Sequence, residues 1–276
     1  MAITAAEVNK LRQQTGAGMM DCKNALVESN GDFETAIDIL RKKGQKVAAK
    51  RGDNEASEGL ILAQAAEEGK SGVILTLNCE TDFVAKNDGY VAFVQSLVDL
   101  ALKNMPESIE ALKALKYDEK LTVEEKITEQ IGVLGEKLDL SGYSTITAEK
   151  VVAYNHPGNQ LATLVALNSG STVAEDAGKQ VAMQVAAMNP IALNKDGVDA
   201  RTIEREIEVG KDLAIQEGKP AEMAEKIAMG RLNKFFQENT LLSQMFVRDN
   251  KVTVEQFLAS AEKDLTVVDF KRFSLS

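Results

Sequence analysis

The sequence predicts an α+β protein with a three-helix N-terminal module, two duplicated α+β core subdomains with small antiparallel sheets, and an antiparallel helical hairpin inserted in the second. Three observations predict this architecture: helix caps and glycine breaks over residues 4–43, a repeated strand–turn–strand–helix pattern, and coiled-coil spacing over residues 198–236. Apolar residues make up 44% of the 276-residue chain, which is enough for a sizeable core and excludes a disordered tail.

Composition and charge narrow the class of protein. Lys and Arg number 32 against 42 Asp and Glu, and the net charge of −10 argues against a general nucleic-acid binder. Cys22 and Cys79 cannot build a disulfide framework, which fits a reducing compartment. Because residues 1–30 lack an apolar signal region and no long apolar run follows, neither secretion nor membrane spanning is expected. We expect a soluble cytoplasmic protein.

Local signals divide the N-terminal module into three helices. The capping box Thr4-Ala5-Ala6-Glu7 opens the first helix, and Gly16 and Gly18 break it. Apolar residues then recur at helical spacing over residues 19–26, and Asp32 is a good N-cap for a third helix. About forty residues make a marginal core, so we expect the module to dock onto something larger.

Two further features of this module concern its surface. Met19 and Met20 follow the glycine break, and they fit either a buried core or a soft apolar contact surface, for which flexible thioethers are well suited. Six basic residues lie between 41 and 51. We interpret them as the solvated end of a helix, where cations suit the negative dipole, rather than as a nucleic-acid patch.

The body of the chain contains an internal duplication. Leu77-Asn78 matches Leu167-Asn168, and Val84-Ala85 matches Val173-Ala174 with one residue deleted between the pairs. Each copy begins with two strands and ends with a helix that leads to a further strand. The predicted strands cover residues 58–65, 72–79 and 137–147 in the first copy, and 150–155, 160–168 and 265–274 in the second.

The second copy also carries an insertion over roughly 198–236, predicted as a helical hairpin with a turn at Gly218-Lys219-Pro220. The expected seam residues are Ile203, Ile207, Gly210 and Ala214 on one arm and Met223, Ile227 and Gly230 on the other. The predicted division is therefore a helical module with a basic linker (1–54), a first core subdomain (55–147), a second core subdomain (148–197 with 237–276) and the hairpin (198–236).

Motifs of bond-making chemistry are missing from the sequence. It contains no Walker loop, no dinucleotide fingerprint, and no CxxC or HExxH, so we expect neither a cofactor nor a metal site. Cys79 and His156 could in principle form a hydrolase pair, but Cys79 ends a strand-like run and fits an inert buried thiol better. The sequence does not predict an enzyme.

The unusual segment is Asn78–Asn87. Thr81 can cap a one-turn helix, which places Asp82 near the positive end of the helix. In the alignment of the two copies Phe83 faces Thr172, whereas a residue that holds the shared architecture would stay apolar in both. This comparison favours a surface position for Phe83, where an exposed ring beside a fixed carboxylate would suit an interface.

Two of these segments resemble signatures of the translation elongation factor Ts family. Residues 15–23 (TGAGMMDCK) resemble the signature of its ubiquitin-associated (UBA)-like module, and residues 81–86 (TDFVAK) resemble that of its core. The resemblance covers nearly the whole chain, including Gly218-Lys219-Pro220 in the coiled-coil arm. Because the chain ends at Phe273-Ser274-Leu275-Ser276, contacts of the extra C-terminal helix of some members are not carried over.

The resemblance implies guanine-nucleotide exchange. Members bind the GTPase elongation factor Tu in its GDP form and speed GDP release, so that GTP can enter. By analogy, Phe83 wedges into the GTPase domain, Asp82 helps to displace Mg²⁺, and Thr81 and Val84 complete the motif. Met19 and Met20 would contact a helix of the same domain, and His156 another domain of the partner.

The implied partner is thus a protein and not nucleic acid or membrane, and whether the complex forms a homodimer is left open. An alternative from another class is a UBA-type adaptor without exchange activity.

Overall fold

The computed structural model describes residues 3–275 and shows a mixed fold with small antiparallel sheets, as predicted. The α-helices α1–α11 of this part span Ala5–Thr15, Met19–Glu28, Phe33–Arg51, Asp82–Ala85, Asp88–Asn104, Ile109–Ala114, Val123–Leu134, Thr172–Met188, Ala200–Gln216, Ala221–Asn239 and Val254–Ala261. The strands β1–β8 span Glu58–Ala65, Ser71–Cys79, Leu138–Thr147, Lys150–Asn155, Leu161–Leu167, Met245–Phe246, Asp249–Thr253 and Val267–Ser274. Residues Lys195–Gly197 form a short 3₁₀ helix.

The N-terminal module consists of α1, α2 and α3 around a small apolar core. The predicted capping box of α1 is present: the Thr4 hydroxyl accepts from the Glu7 amide, and the Glu7 carboxylate accepts from the Thr4 amide. Gly16 ends α1 in a left-handed conformation with φ 71°, which favours glycine. Asp32 caps α3, and this helix continues to Arg51, so the basic residues lie at the end of a helix, as interpreted from the sequence.

The module docks on the core where α3 crosses α7, as its small size led us to expect. A Cβ atom added to Gly132 of α7 would lie 2.5 Å from the Cα atom of Gly44 in α3. One added to Gly44 would lie 3.3 Å from the carbonyl oxygen of Thr128. The two helix backbones therefore meet at a point where a side chain on Gly132 would collide with α3 and one on Gly44 would be tightly packed.

The first core copy contains the sheet β1-β2-β3. Helix α5 contributes six buried residues, namely Tyr90, Phe93, Val94, Leu97, Val98 and Ala101. The Tyr90 hydroxyl donates a 2.5 Å hydrogen bond to the Leu77 carbonyl of β2 and so ties α5 to the strand that precedes the Phe83 turn. The helix α6 was not predicted from the sequence.

The second core copy contains the antiparallel sheet β4-β5-β8, in which Val152 pairs with Val165 and Leu164 with Lys271. Helices α8 and α11 pack into the same apolar cluster, with Val181 and Leu258 among the buried residues. The small β6–β7 hairpin was also not predicted.

The inserted segment forms α9 and α10, which pack against each other. On α9 the predicted seam is correct, since Gly210 and Ala214 are buried. On α10 it is wrong by about one position: Met223 and Gly230 are exposed, and the buried residues are Ala224, Ala228 and Leu232. Close approach explains the shift, because a Cβ atom on Gly210 would lie 3.2 Å from the Cβ atom of Ala228. That the pair forms a coiled coil stays a prediction, as does the UBA likeness.

The chain divides into two compact units. The described residues up to Leu62 belong with Leu75–Ser144 and Leu275 to one unit, and Ala63–Ile74 with Thr145–Ser274 forms the other. Within residues 3–275, no helix combines the length and the apolar character needed to cross a membrane.

The glycine crossing gives a stability prediction. Gly132→Ala should lower the free energy of unfolding by about 1–3 kcal/mol, because the new methyl group overpacks the contact with Gly44. The measurement is the midpoint of urea unfolding, monitored by circular dichroism.

The matched control is Gly230→Ala in α10, where a Cβ atom meets nothing within 4 Å. At this exposed helical site the substitution should raise the free energy of unfolding by about 0.5–1 kcal/mol, because alanine restricts the unfolded chain more than glycine does. Equal midpoints for the two variants would contradict the close crossing.

Candidate functional site

The predicted one-turn helix is present as α4. Strand β2 ends at Cys79, and Thr81 takes an extended conformation (φ −127°, ψ 153°) as N-cap, with its hydroxyl accepting from the Val84 amide. Asn87 then caps α5 by accepting from the Gly89 and Tyr90 amides. Two caps within six residues therefore isolate α4 as a separate turn.

Phe83 lies on the outer side of this turn. Its side chain is 83% exposed, whereas Ala85 is buried. Among the described large apolar residues it is the most exposed. The surface position predicted for Phe83 is therefore correct.

Asp82 presents its carboxylate beside the ring. Its Oδ2 atom accepts a 2.6 Å hydrogen bond from the Lys86 ammonium one turn later. This hydrogen bond lowers the pKa of Asp82, so the carboxylate is charged at neutral pH. Thr81 and Val84, which complete the predicted motif, are half-buried.

Met19 and Met20 are the first two residues of α2 and are 50% and 61% exposed. The module core is built from other residues, including Leu11, Cys22 and Leu26. The buried-core interpretation of the two methionines is therefore wrong, and they form an exposed apolar pair.

His156 lies in the predicted turn between β4 and β5 and is exposed. Its Nδ1 atom lies 2.9 Å from the Tyr154 hydroxyl, and its amide donates to the Leu161 carbonyl across the turn. Thr81, Asp82, Phe83 and Val84 are thus brought into one turn, whereas the methionines and His156 belong to separate local structures.

The burial and the raised pKa of the Cys79 thiol do not support the hydrolase alternative. Cys79 is fully buried, and burial raises its pKa to about 11, so the nucleophilic thiolate is scarce at neutral pH. The Nδ1 partner of His156 is the Tyr154 hydroxyl rather than a thiol. Within residues 3–275 no three His, Cys, Asp or Glu side chains come together as a metal site.

Sequence reasoning missed the residues that hold this turn. Glu80 accepts hydrogen bonds of 2.9 Å from Arg51 to both carboxylate oxygens and one of 2.6 Å from the Lys137 amide. The Lys137 hydrogen bond is the main reason that the pKa of Glu80 is lowered. Glu136 in turn accepts from the Thr81 amide and hydroxyl. No sequence signal pointed to Glu136, although the folded second copy has a comparable contact, in which Glu262 accepts from Ser171.

The caps also revise the alignment of the copies by one residue. Ser171 caps α8 by accepting from the Ala174 amide, just as Thr81 accepts from the Val84 amide. Phe83 therefore corresponds to Val173, which is 47% exposed, rather than to Thr172. The expected exposure of Phe83 was correct although the paired residue was not.

Comparisons with known proteins agree over nearly the whole chain. A family model described as "Elongation factor TS" matches residues 80–276. Proteins named "Elongation factor Ts" from Amoebophilus asiaticus and Christiangramia forsetii are 54% and 52% identical to it, each over 99% of this chain and 98% of their own length. One from Porphyromonas gingivalis is 46% identical over 100% of this chain and 99% of its own length.

These matches define the class of protein as the elongation factors of protein biosynthesis. Within that class the chain belongs to the elongation factor Ts family.

The buried thiol gives a prediction about reactivity. In a Cys22→Ala variant, Cys79 should react slowly with a disulfide reagent such as DTNB at pH 8, because at a pKa of about 11 only about one thiol in a thousand is ionised. Denaturation should make the reaction fast. The fold also favours the protonated thiol over the thiolate. The contribution of Cys79 to the free energy of unfolding should therefore fall as pH rises above about 8.5, the ordinary thiol pKa. Rapid labelling of the folded protein at pH 8 would contradict the buried-thiol interpretation.

Proposed function

We propose that the chain is a guanine-nucleotide exchange factor for elongation factor Tu. It binds the GDP-bound GTPase, displaces Mg²⁺ and promotes GDP release, so that GTP can bind during polypeptide elongation. The observation that carries this proposal is the Phe83 ring, 83% exposed on a turn held by hydrogen bonds. Membership of the elongation factor Ts family supports it.

Exchange needs differential binding rather than bond-making. A factor that binds the nucleotide-free partner more tightly than the loaded one weakens nucleotide binding by the same ratio. A thousandfold effect requires about 4 kcal/mol. Burial of one Phe side chain supplies about 1.5–3 kcal/mol, so Phe83 is the largest single contributor but does not suffice.

Asp82 adds an electrostatic contribution at the same turn. Its carboxylate is charged and 47% exposed, so a partner surface can reach it. Carboxylate oxygens are ligands that Mg²⁺ prefers, and a carboxylate brought next to the partner's Mg²⁺ site would compete with the ion's own ligands. Loss of the partner's Mg²⁺ would then weaken GDP binding, because the cation offsets the negative charge of the diphosphate.

The remaining contacts secure the complex. Met19 and Met20 present an exposed apolar pair on α2, which fits an adaptable contact with a helix of the GTPase. His156 presents its ring on a tight turn, with Tyr154 orienting it through the 2.9 Å hydrogen bond. These separate surfaces supply the free energy that Phe83 lacks.

A UBA-type adaptor without exchange activity would use the N-terminal module alone. The family model matches residues 80–276, beyond that module, and this match favours a function that uses the core. An adaptor would also be indifferent to Phe83, so the same experiment separates the two functions.

Phe83→Ala should slow release of fluorescent GDP from elongation factor Tu by about tenfold to a hundredfold. This is the fold-change that corresponds to losing the burial free energy of one Phe side chain. The measurement is stopped-flow fluorescence with the factor in excess. The matched control is Val173→Ala, which shortens the apolar residue at the corresponding position of the second copy. An unaltered rate for Phe83→Ala would refute the wedge.

Asp82→Asn should slow release about tenfold in millimolar Mg²⁺, as expected for loss of one charged interaction. In excess EDTA its rate should equal that of the unmodified chain, because no metal is left to displace. A deficit of the same size in both solutions would show that Asp82 acts by contact alone and not on Mg²⁺.

A further inference from the structure

We propose that Glu136 is a positioning residue for the Phe83 turn. Its carboxylate holds Thr81, and through Thr81 it fixes the helix that carries the ring. This inference rests on the proposed exchange function, because it concerns how the same site is kept ready.

The contact joins two segments that are far apart in the chain. Glu136 lies in the connection between α7 and β3, 55 residues after Thr81. Its Oε1 atom accepts from the Thr81 hydroxyl at 2.6 Å, and its Oε2 atom accepts from the Thr81 amide at 3.0 Å. Two charge-assisted bonds from one carboxylate fix both the position and the orientation of the residue that begins α4.

The first of these bonds also sets the cap. A hydroxyl has one hydrogen, and a carboxylate can only accept, so the Thr81 hydrogen points at Glu136. A lone pair of the same oxygen is then left to accept from the Val84 amide, at 3.4 Å. Without Glu136 the hydroxyl would be free to rotate, and the capping bond would lose its fixed acceptor.

Neighbouring bonds run in the opposite direction. The Lys137 amide donates to Glu80, whose carboxylate also accepts from Arg51 of α3. Residues 80–81 and 136–137 are thus joined by bonds each way. Glu80 connects the end of β2 to the N-terminal module. The hydrogen bonds from Thr81, the cap of the Phe83 turn, are accepted by Glu136 and not by Glu80.

The second copy contains the same arrangement. Glu262 directly follows α11, whereas Glu136 follows α7 after Gly135, and Glu262 accepts from the hydroxyl of Ser171, the cap of α8. Ser169 donates to its other oxygen at 2.6 Å. The residue at the Phe83 position there is Val173, so the second copy supplies a carboxylate clamp without an aromatic wedge.

The experiment compares Glu136→Gln with Glu262→Gln. Glutamine keeps the size of the side chain but removes its charge, and it can bond the Thr81 hydroxyl and amide together only if its amide nitrogen donates to the hydroxyl, which reverses that bond and frees the hydroxyl hydrogen. GDP release from elongation factor Tu is measured over a range of factor concentrations. Glu136→Gln should lower the maximal rate about tenfold or more, as for loss of one bond to a charged group, and leave the half-saturating concentration nearly unchanged. Glu262→Gln should leave both unchanged.

A second measurement reports on the turn itself. Amide hydrogen exchange at Val84 should become faster in Glu136→Gln and stay unaltered in Glu262→Gln, while cooperative thermal unfolding is retained in both. Loss of cooperative unfolding in Glu136→Gln would overturn the proposal, because the carboxylate would then hold the whole subdomain rather than the turn.

Other outcomes separate this inference from the proposed function. If Phe83→Ala is slow but Glu136→Gln keeps the maximal rate, the positioning role is wrong and the exchange function stands. A shift confined to the half-saturating concentration, or equal slowing by Glu262→Gln, also overturns the role of Glu136. If Phe83→Ala keeps the unmodified rate, the exchange function itself fails.

Discussion

An aromatic ring can be kept in water for a partner only if the backbone beneath it is fixed by bonds that do not involve the ring. Phe83 gains nothing from burial within its own chain, and a single helical turn is unstable by itself because nucleation costs more than one hydrogen bond returns. The order of α4 therefore comes from the bonds of Thr81, the burial of Ala85 and the cap at Asn87. A turn fixed in advance loses less conformational entropy on binding, so more of the burial energy of the ring is available for the partner.

The same place connects the wedge to the N-terminal module. Arg51 at the end of α3 bonds to Glu80, next to Thr81, and Gly44 of α3 meets Gly132 of α7. The module and the Phe83 turn belong to one compact unit. In the proposed complex, a partner that touches the methionines of α2 and the ring of Phe83 would therefore be held at two points of one packed unit.

Local signals explain what the sequence could predict. The caps at Thr4, Asp32 and Thr81 all appear as expected, because each depends on bonds within a few residues. The glycine breaks and the internal duplication can likewise be read from the sequence, and they were enough to predict the mixed fold. The exposure of Phe83 was predicted from a pairing with Thr172 that the caps replace with Val173, so that correct prediction rested on a misaligned residue.

Tertiary contacts explain what it could not predict. Glycine usually weakens the interior of a helix, yet α3 continues through Gly44. The reason is packing, because α7 approaches α3 closely at this glycine. The α10 seam is displaced because Ala224 and Ala228, rather than Met223, permit close approach to α9. Glu136 gave no local signal, since only the folded chain brings it to Thr81.

The duplication shows why one copy carries the exposed aromatic ring. One residue more lies between Thr81 and Gly89 than between Ser171 and Gly178. In the first copy the chain breaks at Asn87 into α4 and α5, whereas in the second α8 continues unbroken from Ser171. The break separates the turn from the long helix, and its outer residue is 83% exposed against 47% for Val173. The clamp by an acidic residue is common to both copies, so the exposed wedge follows from the extra residue and the aromatic ring together rather than from the clamp.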